Sequence, residues 1–261
     1  MTAIDDVFSA CRRDGRLAFM PFLTAGDPDL DTTAAAITAL DQAGADLVEV
    51  GFPYSDPIAD GPTIQASYTR AIEAGVRVGG VLDCLSAVTA TAPRVAMVSY
   101  AIVFRLGVED FARRAVAAGV SGLIIPDLPG TDADETATTL ADAGLDLIQL
   151  VAPTTPRPRA AQIVRRCTGF VYCVAVAGIT GERAAIADTL HAQLRDLREE
   201  TDLPLAVGFG ISQPQHVQPL RDVADGIIVG SGIVRRLEGG GPAALDAIST
   251  FTREMAAACR P

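Results

Sequence analysis

Short runs that are apolar almost throughout alternate with segments of helical period along this whole sequence, and that alternation limits its folds more than any other feature. The runs cover residues 18–23, 46–50, 95–103, 122–126, 145–151, 170–176, 204–208 and 226–230. Runs so short, with no polar face, read as parallel strands covered on both sides. The segments between them, 32–43, 78–90, 108–118, 132–143, 158–167, 182–200 and 213–223, are rich in Ala, Asp, Arg and Leu, and 242–258 closes the last unit. Several end on Ala-Gly, at Ala43-Gly44, Ala118-Gly119 and Ala143-Gly144, because glycine takes the left-handed conformation that stops a helix without steric cost. An extra helix, 4–13, precedes the first run. The expected fold is of the α/β class, a single (β/α)8 TIM barrel over residues 1–261 with a short helix beginning near Gly232. An open doubly wound sheet shares the alternation, but eight units with functional signals after several different strands favour closure.

Composition removes whole classes of chemistry. The sequence contains no lysine, every basic residue being Arg, so neither a lysine Schiff base nor pyridoxal phosphate held on a lysine is available. Its two histidines, His191 and His216, fall in helical or connecting sequence, which leaves zinc and facial-triad sites without ligands; no metal is expected. Five cysteines lack CxxC spacing and read as reduced structural thiols. A formal charge of −11, with no basic stripe, argues against nucleic acid and acidic membranes. No apolar stretch approaches a membrane span and the first 13 residues hold no signal core, so a cytoplasmic protein is expected.

Barrel enzymes gather their chemistry at the carboxyl ends of strands. In Leu47-Val48-Glu49-Val50-Gly51 a carboxylate interrupts an otherwise apolar strand end, where desolvation should raise its pKa and make it an acid–base candidate. The same Glu could equally be a buried residue satisfied by an arginine or by backbone amides. The segment that follows runs from Tyr54 to Gln65, and two prolines and a glycine shape its loop while Asp56 and Asp60 project. Either aspartate could also be an ordinary turn residue. Glycine turns follow the last three strands, at Gly178-Ile179-Thr180-Gly181, Gly208-Phe209-Gly210-Ile211-Ser212 and Gly230-Ser231-Gly232. Main-chain amides freed in this way can cradle a phosphate. Phe22, Tyr172 and Phe209 would line an apolar pocket if all three point inward. In that case Cys173, beside Tyr172, must face the helix layer.

Together these motifs resemble the tryptophan synthase alpha chain family. The resemblance rests on Phe19 to Pro28, the block from Glu49 to Gln65, Pro126-Asp127-Leu128-Pro129, Ala152-Pro153-Thr154-Thr155 and the three glycine turns, in order and along nearly the whole chain. It implies a lyase that needs no cofactor and splits indole-3-glycerol phosphate into indole and glyceraldehyde 3-phosphate by a retro-aldol reaction. Glu49 and Asp60 match the catalytic pair, Phe22 and Tyr172 the indole pocket, and Thr180, Gly181, Phe209, Gly210, Gly230 and Ser231 the phosphate turns.

The resemblance also implies a beta chain that takes up the indole, in an alpha2-beta2 complex. Here the sequence departs from the family pattern. It reads Ser99-Tyr100-Ala101 where Tyr-Tyr-Asn is usual, Gly130-Thr131-Asp132 where a Glu pair is common, and Ala175 where Ser is usual. The departures at Ser99, Ala101 and Thr131 border the surface that meets the beta chain, so they bear on docking more than on catalysis. A free-standing lyase supplying indole elsewhere, and a mainly regulatory barrel subunit, are the alternatives.

Overall fold

The computed structural model describes residues 1–57, 60–175, 183–208 and 210–261. Its nine parallel strand segments are β1 (Ala18–Thr24), β2 (Val48–Gly51), β3 (Arg94–Met97), β4 (Val120–Ile124), β5 (Asp146–Ile148), β6 (Leu150–Val151), β7 (Val171–Val174), β8 (Leu205–Gly208) and β9 (Gly226–Val229). They are ordered β5-β4-β3-β2-β1-β9-β8-β7-β6. β5 and β6 are one continuous run interrupted at Gln149. The first half pairs with β4 and the second with β7, and Tyr172 N–H donates to Gln149 O across the gap at 3.1 Å. The two sheet edges are therefore the same stave, and the sheet closes as an eight-stave TIM barrel.

Alternation along each strand divides the core in two. Inward-facing Met20, Phe22, Leu47, Val95, Met97, Ile124, Ile148, Tyr172, Ala206 and Ile228 fill the barrel. Outward-facing Phe19, Leu23, Val48, Val50, Leu123, Cys173, Val207 and Ile227 pack under the helices. Cys173 thus faces away from the barrel interior, as expected from Tyr172. All five cysteines are free, and burial pushes the thiols of Cys11, Cys167 and Cys259 up to about 12.

The extra N-terminal helix, Ala3–Arg13, starts with a capping box between Thr2 and Asp5. It lays Ile4, Phe8 and Cys11 across the lower end of the barrel, with the Phe8 and Phe170 ring centroids 5.6 Å apart. The floor is thereby closed with hydrocarbon.

Three segments differ from the sequence expectation. The run 95–103 is a strand only to Met97, after which Tyr100–Leu106 is a helix. Its N-cap Ser99 accepts from Ala101 N–H at 3.2 Å, while Asp127 takes the Ser99 hydroxyl and Tyr100 N–H at 2.6 Å each. The helix is thus started by a carboxylate from beyond the next strand. A second helix, Pro62–Glu73, follows β2 where only a loop is expected, its first residue being a proline, which suits the first helical turn. Over 213–223 two short 3-10 turns, Pro214–His216 and Gln218–Leu220, replace the expected helix, since Pro214 and Pro219 each remove an N–H donor. The short helix expected near Gly232 is present as Ser231–Leu237.

Phe8→Ala is expected to cost about 3–5 kcal/mol of folding stability, measured as a lowered denaturant midpoint. A loss below about 1 kcal/mol would mean that the N-terminal helix does not seal the barrel.

Candidate active site

Glu49 points into the upper barrel from β2, opposite Phe22 of β1 and Val95 of β3. It is 1% exposed, and neither carboxyl oxygen has a hydrogen-bond partner among the described residues. The arginine or amide pairing that a strand glutamate often has is missing there. Burial, and after it the negative charge of Asp60, pushes the Glu49 pKa up to about 8, so the group is mostly a neutral acid at pH 7.

Asp60 arrives from the other side of a tied loop. The Gln65 side-chain amide donates to the carbonyls of Pro57 and Asp60 at 3.1 and 2.8 Å, and Asp60 N–H donates to Pro57 O at 3.1 Å. Helix Pro62–Glu73 anchors that loop to the barrel. The buried hydroxyls of Ser67 and Thr24 share a 2.6 Å hydrogen bond, and Arg70 grips the buried Asp27 with two bonds of 2.9 and 2.7 Å. Burial raises the Asp60 pKa to about 6, opposed by a hydrogen bond from Tyr54. At neutral pH one carboxyl of the pair is therefore mostly protonated and the other mostly ionised.

Two strand glycines make room for the aromatic walls. A Cβ on Gly51 would lie 2.5 Å from the Phe22 ring and 2.6 Å from the Tyr68 hydroxyl, and one on Gly208 would overlap the Tyr172 phenol. Any larger residue at either place would push an aromatic ring out of the barrel mouth.

These groups share one cavity of about 320 Å³, whose wall includes Phe22, Glu49, Asp60, Tyr172, Gly210, Gly230 and Ser231. Seven of the residues singled out from the sequence are thus brought together, while Thr180, Gly181 and Phe209 lie outside the described residues. Gly210 has φ +78°, a backbone state that favours glycine. Ser212 N–H donates to His216 Nδ1 at 3.3 Å, which ties Ser212 to the 3-10 turn Pro214–His216. A larger cleft of about 500 Å³ lies outside the loop, between Pro53–Asp56, Arg77 and Arg105; it contains neither Glu49 nor Asp60.

Sequence reasoning passes over Met97, Ile228 and Arg235, all in the cavity wall. Strand alternation could have found the first two. Arg235 lies four residues after Ser231, one turn along the short helix, and its guanidinium donates to Thr63 Oγ1 at 3.3 Å. It is the only cation among the described residues of the wall.

A family profile described as "Tryptophan synthase alpha chain" matches residues 8–260. The tryptophan synthase alpha chain of Cyanothece sp. is 46% identical over 265 residues, covering 100% of this chain and 99% of that protein. That of Rhodopirellula baltica is 50% identical over 242 residues, covering 91% and 87%. Among solved structures, tryptophan synthase from M. tuberculosis in an aminoacrylate-bound form superposes with a TM-score of 0.90 at 35% identity, with full coverage of both chains. The alpha-subunit from Pyrococcus furiosus gives 0.85 at 36% identity, covering 93% of this chain and 98% of that one.

The buried acid has a stability signature. Unfolded Glu49 ionises above about 4.5 and folded Glu49 only above about 8. Between those values the folded chain keeps a proton that the unfolded chain releases, so stability falls as pH rises through the window. Glu49→Gln is therefore expected to melt about 2 °C or more above the parent at pH 8 and level with it near pH 4. Equal melting at pH 8 would mean that the carboxyl is paired or solvated after all.

Proposed function

The chain belongs to the tryptophan synthase alpha chain family, and from that premise we propose that Glu49 and Asp60 are the groups with which it performs the family's carbon–carbon lyase reaction. It cleaves indole-3-glycerol phosphate into indole and D-glyceraldehyde 3-phosphate, a step of tryptophan biosynthesis. The observation that carries the assignment is the pair of unpartnered Glu49 oxygens, buried in the cavity that Asp60 also enters.

The chemistry follows from the two protonation states. Neutral Glu49 gives its proton to indole C3, which turns the ring into a cationic indoleninium. Ionised Asp60 accepts the indole N–H and faces that positive charge. The bond from C3 to the side chain then breaks, its electrons return to the ring, and the adjacent hydroxyl becomes the aldehyde. The carboxylate left on Glu49 takes the hydroxyl proton, so it is again neutral and the proton count closes. Two carboxyls with separated pKa values serve as acid and counter-charge in one pocket.

Phe22 and Tyr172 flank the indole ring in this reading. Main-chain amides around Gly210, Gly230 and Ser231 hold the phosphate, and the family resemblance adds Thr180, Gly181 and Phe209 to that hold. Arg235 supplies a positive charge at the rim, which matters in a chain of net charge −11.

A beta chain is the partner this reading expects. Phe104 is 68% exposed and Leu106 36% exposed on helix Tyr100–Leu106. This is the helix whose start carries the departures Ser99 and Ala101, and Ser99 serves there as its cap. Apolar side chains so exposed on a short, well-capped helix suit a partner that covers them.

Three tests follow, two for the catalytic pair and one for the partner. Glu49→Gln should lower indole release at least about a hundredfold while leaving affinity for glycerol 3-phosphate nearly intact, and Asp60→Asn should lose most of the rate. For the parent, kcat/KM should be bell-shaped, falling below about 6 as Asp60 protonates and above about 8 as Glu49 ionises, the two limbs belonging to the coupled pair. Normal turnover by either variant removes that residue from the mechanism. For the partner, Phe104→Asp should keep the basal rate of the isolated chain and lose most of the stimulation given by an added beta chain. Unchanged stimulation would place the docking face elsewhere, and no stimulation of the parent would mean a free-standing lyase.

A further inference from the structure

Asp60 has to stay ionised in unfavourable surroundings. Among the described residues, the titratable groups that act on Asp60 or on its partner Tyr54 are acids and phenols: Glu49 from β2, Tyr68 from helix Pro62–Glu73, Tyr172 from β7, and Asp127 from beyond β4, which faces Tyr54, while Arg77 and Arg105 line the cleft on the outer side of the loop. The cation in the same cavity wall, Arg235, bonds to Thr63. Burial alone would favour the neutral acid, leaving no counter-charge for a cationic ring.

Tyr54 answers this from within the same loop. Its hydroxyl lies 3.4 Å from Asp60 Oδ2, a carboxylate that can only accept, so the phenol donates. The ring is half-buried and rests on Tyr68, with centroids 5.4 Å apart at 52°. Tyr68 is itself fully buried, its hydroxyl close against Gly51. The donor is thus backed by a ring that cannot shift without moving the end of β2, the strand that carries Glu49. Gln65 bonds to the carbonyls of Pro57 and Asp60, so both ends of the Tyr54–Asp60 contact are held.

We propose that Tyr54 is a positioning residue for the lyase reaction: its hydroxyl orients the Asp60 carboxylate and keeps it charged. The inference rests on the reading of Asp60 given above. A phenol suits the task better than a guanidinium would. A hydrogen-bond donor favours the ionised carboxylate yet leaves its full negative charge for the substrate, whereas an arginine in contact would neutralise it.

The test is the pH dependence of indole release by Tyr54→Phe, which keeps the ring packed on Tyr68 and removes only the hydroxyl. Without the donor the Asp60 pKa rises, so the acid limb of kcat/KM should move up by about one pH unit. Activity near pH 6 should then fall about fivefold to tenfold, recover toward pH 7.5, and keep its alkaline limb. Affinity for glycerol 3-phosphate should be unchanged. In an Asp60→Asn background the same substitution should add nothing, because the hydroxyl acts through the carboxylate. An acid limb that stays in place, or an additive loss in the double variant, overturns the role of Tyr54 even where Asp60→Asn alone is crippled. Full turnover by Asp60→Asn alone instead overturns the assignment of Asp60, and the inference falls with it.

Discussion

A carboxyl group buried without a partner is stable only as a neutral acid, and the upper half of this barrel is organised around one. Inward alternation on β2 aims Glu49 into the interior, and the neighbours supplied by β1 and β3 at that level are Phe22, Val95 and Met97. None of them can stabilise a charge. Asp60 approaches from a loop that is less deeply buried and receives a hydrogen bond, so its pKa sits near 6 against about 8 for Glu49. The proposed division of labour, one acid delivering a proton while the other faces a cation, rests on the separation between the two values more than on the presence of two acids.

The barrel was legible in the sequence because its strands are covered on both faces, so each one reads as a short, mostly apolar run, in most cases bounded by Gly, Pro or Asp. The same criterion fails where a helix has no polar face. Tyr100–Leu106 continues the apolar run of β3, and what makes it a helix is Asp127, 27 positions further on, which takes the Tyr100 amide. No local pattern contains that information. The prolines at 214 and 219 are visible in the sequence, yet they break a helix that the period alone favours.

Much of the site was legible for a related reason. Glu49 stands out as a carboxylate in a strand that has no other use for one, and the glycine turns stand out by composition. Tyr54, Tyr68 and Arg235 do not, since each gains its meaning from packing between elements. Tyr54 meets Asp60 only because Gln65 folds the loop back. Tyr68 reaches the barrel mouth only because Ser67 and Arg70 dock their helix on β1 and the loop beyond it. Ser99 gives a different lesson: read as a departure from a family pattern, it proves to be a helix cap.

The hydrocarbon floor laid down by Ile4, Phe8 and Phe170 also decides how molecules move through this protein. A plugged cylinder has one doorway. Among the described residues, the way in and out for small molecules and solvent is the rim where Asp60, Gly210, Gly230 and Ser231 stand. Anything that narrows that rim therefore limits the escape of small molecules and the entry of water together, as a single valve.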